Sequence, residues 1–347
     1  MTDSAKPRRR QAQLADLIFG FRPAQFVHVM ARLAIADLLG DRQMTVGELS
    51  FAAGAQPDMM GRLLPGLAGI GLVELAPGDC VSLTEMGGLL ATKGPGSMRG
   101  MALYAGAESF GAWAELEHGV RTGEAPFKTA RGQSFFDYYR EHPAARAAFD
   151  ATMSQLSRAV IREAVPACDF ASASRVLDVA GGRGHFVAAV LDANPNVRGA
   201  VFDLPEACAE AQGFIAGKGL AGRSEVIGGS FFDSVPPGYD VHLLKWILHD
   251  WDDASCQKIL QTLRTALAEN GHLLVVGQLL PDAMTADGPL HPAVAMDLAM
   301  LVNFADARER TRAECDKLLT ASGFAVRQVI ELPGSGFSVL DCASQAS

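Results

Sequence analysis

The sequence predicts an α/β protein: a doubly wound, mostly parallel sheet of seven strands preceded by a smaller helical module with winged-helix character. Three observations point there. Seven short apolar runs follow Ala167, and helical patterns separate the earlier ones. The first run, Val176–Val179, carries Asp178 into a glycine turn (Gly181, Gly182, Gly184) that opens a new helical pattern. Upstream, helix, turn, helix and hairpin signals succeed one another within the first hundred residues.

At the N-terminus, Lys6–Gln11 is the only basic cluster, and no apolar h-region follows it closely, so it does not read as a secretory signal. Phe26–Leu39 places apolar residues at helical spacing and ends at Gly40. Thr45 and Glu48 have capping-box spacing and open a short helix that stops near Gly54. A second helix is expected over Pro57–Leu72, then a hairpin, Val73–Leu75 and Val81–Leu83, around Pro77-Gly78-Asp79. Such a winged helix raises a DNA-binding regulator as an alternative. Its second helix, however, has one arginine against one aspartate in PDMMGRLLPGLAGIGL. A recognition helix needs basic and polar side chains for phosphates and base edges. Dimerisation suits so apolar a module better.

Residues 101–167 read as helical, with Trp113, Phe135, Phe136, Tyr138, Tyr139, Phe149 and Met153 as their large side chains. They are a helical connector with core aromatics, or a cap giving a substrate site its apolar walls; the two readings are compatible. The expected division is therefore 1–100 for the winged module and 101–347 for the catalytic part, with a cap at about 101–167 and a core at about 168–347.

The strands are expected at Arg175–Val179, Gly199–Phe202, Glu225–Ile227, Val241–Leu244, Leu273–Val276, Val326–Glu331 and Phe337–Asp341. Helical segments between the first five imply crossovers and a parallel sheet. Leu332–Gly336 reads as a hairpin link, which would make the last strand antiparallel.

The 347 residues, 49% of them hydrophobic, suffice for two cores. A formal charge of −9 argues against bulk affinity for nucleic acid or an anionic membrane. No apolar stretch is long enough to span a bilayer. The six cysteines show no C-x-x-C spacing, which points to reduced thiols in a cytoplasmic protein; the histidines lack ligand spacing, so no metal is expected.

Ligands of doubly wound sheets lie across the carboxyl ends of the strands. Aligning Gly182 and Gly184 with the first two glycines of a dinucleotide fingerprint puts Val187 where the third small residue belongs. That weakens a nicotinamide or flavin reading, and the turn resembles the hhDhGGGxG-like opening of S-adenosylmethionine enzymes, which favours that cofactor. Asp203 ends the second strand 25 residues after Asp178, where a carboxylate can accept both ribose hydroxyls. Gly229-Ser230-Phe231-Phe232 follows the third strand, where adenine could pack on a ring. The fourth runs into Lys245-Trp-Ile-Leu-His-Asp-Trp251.

KWILHDWDD together with Arg308-Glu-Arg-Thr311 resembles the small-molecule O-methyltransferases of plant phenylpropanoid and bacterial natural-product pathways. The likeness spans essentially the whole chain. It implies a winged-helix dimerisation domain, hence a homodimer, before a class I, Rossmann-like S-adenosylmethionine domain. It makes His249 the general base and Glu309 the carboxylate that orients it. Asp178, Gly181, Gly182, Asp203, Leu204, Ser230, Phe231, Lys245 and Trp246 become cofactor contacts, and S-adenosylhomocysteine the product.

The chemistry agrees. Methyl transfer from a sulfonium is an in-line displacement that needs alignment and a proton acceptor. A phenol near pKa 10 is a poor nucleophile until deprotonated, and histidine titrates in the useful range. Two departures from the family pattern stand out. Gly277 follows the fifth strand where relatives carry a second carboxylate, so His249 is expected to lack one of two acidic neighbours. Ser230 stands where an aspartate is usual. Relatives on this fold also perform decarboxylation, hydroxylation or assisted cyclisation, so repurposed chemistry is the alternative. For the acceptor, Met153, Met300, Asp250 and Asn303 are candidate contacts, Met296 and Met300 lying one turn apart as core packing or a pliable lid. An apolar pocket of this kind suits an aromatic or polyketide-like hydroxyl compound.

Overall fold

The structure is a computed structural model that describes residues 5–94, 96–284 and 290–345, with side chains from Arg10 onward. The side chains of residues 6–9 in the basic cluster thus lie outside the described residues. The chain divides into two compact units, Met1–Glu115 with Thr129–Gln155, and Leu116–Lys128 with Leu156–Ser347.

In the first unit the helix expected over Phe26–Leu39 is two helices, Phe21–Arg32 and Ile35–Leu39, separated at Ala34, whose φ is 51°. The break lets Met30 and Ala31 of one piece and Ile35, Ala36 and Leu39 of the other reach one core. Burial of these side chains outweighs the 1–2 kcal/mol that a left-handed alanine costs (roughly). The capping box forms as expected: Thr45 Oγ1 accepts the Glu48 N–H at 3.2 Å, and Glu48 Oε2 accepts the Thr45 N–H at 2.8 Å. It starts the helix Val46–Ala53, which ends at Gly54. The following helix, Pro57–Gly69, is shorter than predicted because Gly71, at φ 78°, turns the chain into a strand. Strand β1 (Met44–Thr45), too short to read from the sequence, pairs with β3 (Cys80–Leu83), and β3 pairs with β2 (Val73–Ala76), both antiparallel.

The apolar stripes of these helices fill the unit's own core, through Met30, Ile35, Leu39, Met60, Leu64 and Leu67. Apolar surface is left over on the helix Ala5–Ile18 and just beyond, where Leu14, Leu17, Ile18, Phe19 and Phe21 are exposed, and also at scattered positions such as Phe51, Met59 and Met86. Residues 101–167 are helical as expected, ending in the long helix Pro143–Ala167. They include a π-helical turn, Ala105–Ser109, where a Cβ on Gly106 would collide with the His28 side chain.

The second unit is built on a seven-stranded sheet. Strands β4 (Arg175–Val179), β5 (Arg198–Asp203), β6 (Ser224–Gly228), β7 (Tyr239–Lys245) and β8 (Leu267–Gly277) are parallel, in the order β8-β7-β4-β5-β6. A small parallel pair, β9 (Leu279–Leu280) and β10 (Arg310–Thr311), follows. Then β11 (Phe324–Leu332) and β12 (Phe337–Ser344) form the expected hairpin, and β12 runs antiparallel to β8. All seven predicted strands are present. One predicted helix is not: residues 229–238, between β6 and β7, are irregular, since the paired prolines Pro236-Pro237 remove donors and fix φ.

Alternate residues of the sheet feed two layers. Val176, Val201, Leu243, Val276 and Val339 pack with Val187, Val190 and Leu191 of the helix His185–Ala193. Leu177, Leu244, Val275 and Leu340 pack with Ile259, Leu260 and Leu263 of Asp253–Ala266. Strands covered on both faces read as unbroken apolar runs, as these do. Among the described residues, no helix is long and apolar enough to cross a membrane.

A histidine is among the buried polar residues that interrupt these apolar runs. His242, in the middle of β7, is fully buried, and neither ring nitrogen has a hydrogen-bond partner. Burial pushes its pKa down to about 4. Because the folded value lies below the unfolded one, near 6.5, the unfolded chain binds the proton more readily between the two. Stability is therefore whole above about pH 6.5 and declines as pH falls toward 4, by about 3 kcal/mol in all. Chemical denaturation of His242→Leu at pH 7 and pH 5 should show much of that pH dependence gone; an unchanged dependence would contradict the assignment.

Candidate active site

The carboxyl edge of the parallel strands carries most of the chemistry. Asp178, on β4, is buried, and its Oδ2 accepts the Val187 N–H at 3.2 Å. Burial raises its pKa to about 6, against the lowering effect of the Lys245 charge. Lys245, ending β7, is itself lowered to about 8, chiefly by burial, while the Asp178 charge works upward. The two groups oppose each other's desolvation. Beyond β4 the turn needs glycine at Gly184, where φ is 80° and a Cβ would lie 2.8 Å from Val201 Cγ2. Asp203 reaches this turn from β5: Oδ2 accepts the Gly182 N–H and Oδ1 the Leu204 N–H, both at 2.7 Å. Gly181 sits against the Asp178 carboxyl, 2.7 Å from an added Cβ, so the turn and the buried acid fit only together.

After β6, the Ser230 hydroxyl accepts the Phe232 N–H at 3.2 Å and so shapes the turn that presents Phe231. The Phe231 ring packs edge-on to Phe232 and Trp251. Trp246 has φ 59°, a left-handed value unusual for a bulky residue, and the Lys245 ammonium stands 4.0 Å from its ring centroid. Ala180, just past β4, is likewise left-handed at φ 53°. Backbone strain of this kind collects where a surrounding scaffold holds functional groups. A carboxylate beside a glycine turn and aromatic rings farther along the edge are residue types that fit a nucleoside sulfonium.

His249 lies on a short 3-10 turn, Leu248–Asp250, past the end of β7. Its Nδ1 is 2.7 Å from Glu309 Oε1. A carboxylate only accepts, so Nδ1 carries the proton and Nε2 keeps a free pair. Glu309 is almost fully buried, in a loop pinned through three successive residues. The Arg308 N–H donates to the His249 carbonyl at 2.8 Å, and the Glu309 N–H donates to Asp297 Oδ1 at 2.9 Å. Arg310, 3% exposed, donates to the Leu248 and Trp251 carbonyls and to Asp253. The expectation of a single acidic neighbour needs correction: Asp250 Oδ1 stands 3.4 Å from His249 Nε2. Burial disfavours the imidazolium, yet the Glu309 bond and the two acidic charges outweigh it, and the His249 pKa is raised.

The structure thus gathers His249, Glu309 and Asp250 at one point, and Asp178, Lys245 and the glycine turn at a neighbouring edge of the same sheet. Met300 and Asn303 are buried on the helix Pro292–Asn303, which also supplies Asp297. Met153 belongs to the other compact unit, on the helix Pro143–Ala167. Sequence reasoning missed Asp297 and the structural part of Arg310. Nothing in spacing alone ties Asp297 to Glu309, although both lie in segments already singled out.

A family model described as an O-methyltransferase domain matches residues 113–325, and one described as an O-methyltransferase dimerisation domain matches residues 15–93. The chain belongs to the O-methyltransferase family. It is an S-adenosylmethionine-dependent O-methyltransferase. A phenazine O-methyltransferase of Lysobacter antibioticus is 36% identical, over 94% of this chain and 94% of its own length. An 8-amino-8-demethylriboflavin N,N-dimethyltransferase of Streptomyces davaonensis is 33% identical, over 98% of this chain and 97% of its own. Among solved structures, an O-methyltransferase from neocarzinostatin biosynthesis, in complex with S-adenosylmethionine and 2-hydroxy-5-methyl naphthoic acid, superposes with TM-score 0.77 and 31% identity. The match covers 92% of this chain and 95% of that one.

Proposed function

We propose that this O-methyltransferase acts on a hydroxyl of an aromatic or polyketide-like small molecule in secondary-metabolite biosynthesis, with His249 as general base. The observation that carries the reading is the 2.7 Å bond between His249 Nδ1 and the buried Glu309, which fixes the tautomer and leaves Nε2 to take a proton. The relatives that methylate aromatic hydroxyls support the acceptor class. Asp203 would hold the ribose hydroxyls, the Gly181-Gly182 turn and Leu204 the nucleoside backbone side, Ser230, Phe231 and Trp246 the base, and Asp178 with Lys245 the charged end. When bound, the sulfonium supplies the electrophilic methyl group. The chain's own part is to align the acceptor oxygen, to receive its proton at Nε2 and to share the resulting charge with Glu309. Met300 and Asn303 are the proposed wall and polar contact for the acceptor. Residues 1–100 serve dimerisation and residues 101–347 catalysis, in the cytoplasm, with no metal, nucleic acid or membrane taking part.

A second reading, repurposed chemistry on the same fold, is favoured only by the unusual Gly277 and Ser230. A methylation assay over phenols, quinones and phenazines separates the two: the first reading gains one methyl group on the acceptor and yields S-adenosylhomocysteine.

Three outcomes follow. His249→Ala should lower the rate at neutral pH by roughly 10²–10⁴ while cofactor affinity stays near wild type, with partial recovery at high pH on a phenolic acceptor. Near-wild-type activity at pH 7 would defeat the base. By calorimetry, Asp203→Ala should weaken cofactor binding by about 2–3 kcal/mol, since two hydroxyls lose a charge-assisted partner. Light scattering at micromolar concentration should find a dimer. The contact is expected on the exposed Leu14, Leu17 and Ile18 surface, not on the stripes that fill the unit's core; Leu17→Glu should yield monomer.

A further inference from the structure

The residue after the base is more than a polar wall. We infer that Asp250 is a second, positioning carboxylate of the catalytic histidine, setting the proton affinity of Nε2 and stabilising the imidazolium that forms when the acceptor is deprotonated. This rests on His249 being the base of the proposed reaction, but its central claim concerns the histidine alone.

The geometry is the ground for it. The imidazole has two nitrogens, and each faces a different carboxylate: Nδ1 meets Glu309 at 2.7 Å and Nε2 meets Asp250 at 3.4 Å. The longer distance is too great for a short hydrogen bond but well within the range at which one charge steadies another. The His249 side chain is 14% exposed and that of Asp250 34%, so water screens their interaction only in part. Asp250 stands where it does because Arg310 ties down the carbonyls on either side of it, Leu248 at 2.6 Å and Trp251 at 2.8 Å.

No other group does this work. Lys245, from β7, is the remaining charge felt at the ring, and it disfavours the imidazolium. The guanidinium groups of Arg308 and Arg310 are engaged with Asp253, at 3.4 and 2.8 Å. From β8, Gly277 brings no side chain, and a Cβ there would meet nothing within 4 Å; Gln278 is neutral. Both carboxylates raise the His249 pKa above its usual value, against burial, and burial holds the Asp250 pKa up as well.

In the reaction, the acceptor O–H gives its proton to Nε2 as the oxygen–methyl bond forms and the carbon–sulfur bond breaks. The proton then rests on an imidazolium between two carboxylates and leaves later to solvent. Asp250 changes how readily Nε2 holds that proton, which no merely structural contact would do.

The test is a titration of histidine-labelled enzyme by NMR, the His249 signals being identified by their loss in His249→Gln. Wild type should titrate above the ordinary histidine value, and Asp250→Asn about one pH unit lower, a tenfold loss of proton affinity. Asp250→Glu should restore the wild-type midpoint, and Asp250→Ser should repeat the fall if the asparagine variant folds poorly. With a phenol that the enzyme methylates as probe, the acid limb of kcat against pH should move down by the same amount. An unmoved midpoint in both neutral variants overturns the inference. Failure to methylate any acceptor, with the midpoint still moved, would instead count against the proposed reaction.

Discussion

A guanidinium that is 97% occluded must find acceptors for its donors or forfeit several kcal/mol, and Arg310 finds them in the backbone of the very turn that carries His249. Its bonds to the Leu248 and Trp251 carbonyls and to Asp253 lock three segments that are far apart in sequence: the turn after β7, the start of the helix Asp253–Ala266, and the loop before β10. Glu309 precedes Arg310 directly, so the same bonds that satisfy the cation place the carboxylate. The adjoining β9–β10 pairing holds that loop to the end of β8. The histidine, its carboxylate and the strand edge are therefore one mechanical piece, and the 2.7 Å His249–Glu309 contact is a consequence of it.

At the neighbouring edge the same logic operates with opposite charges. Asp178 and Lys245 are each buried enough to lose affinity for their charged forms, and each partly restores the other's. Around them the backbone is bent to left-handed values at Ala180 and Trp246, which end β4 and β7. A sheet closed on both faces by apolar layers can hold such strain, because the strands beneath have no freedom to relax it. Rigidity of the scaffold and precision at the edge are the same property seen from two sides, and an in-line transfer depends on that precision.

The N-terminal unit obeys a different constraint. Its two apolar helices look in sequence like surfaces in search of a partner, yet the kink at Ala34 folds them onto one another and onto the β2–β3 hairpin. Among the apolar side chains that stay exposed, a group lies together on the preceding helix. The helix Pro57–Gly69, where a winged helix would read DNA, carries one arginine against one aspartate and so lacks the basic face such a helix uses.

How much was legible in the sequence divides along the range of the forces involved. All seven strands of the main sheet, the capping box at Thr45, the hairpin at the end and the glycine turn are set by local propensity, periodicity and φ/ψ limits, which neighbouring residues alone decide. The pairing of Glu309 with His249 was legible only through resemblance, since 60 residues separate them and no local signal connects them. The missing helix before β7 was misread because a crossover was expected to be helical, although Pro236-Pro237 forbade it. Tertiary structure alone decided that Asp297 holds the Glu309 backbone, that Arg310 anchors the catalytic turn, and that Asp250 turns toward Nε2. It also buried His242 without a partner. Each of these depends on where distant segments cross, and burial, not residue type, determines what a charge or a ring nitrogen does there.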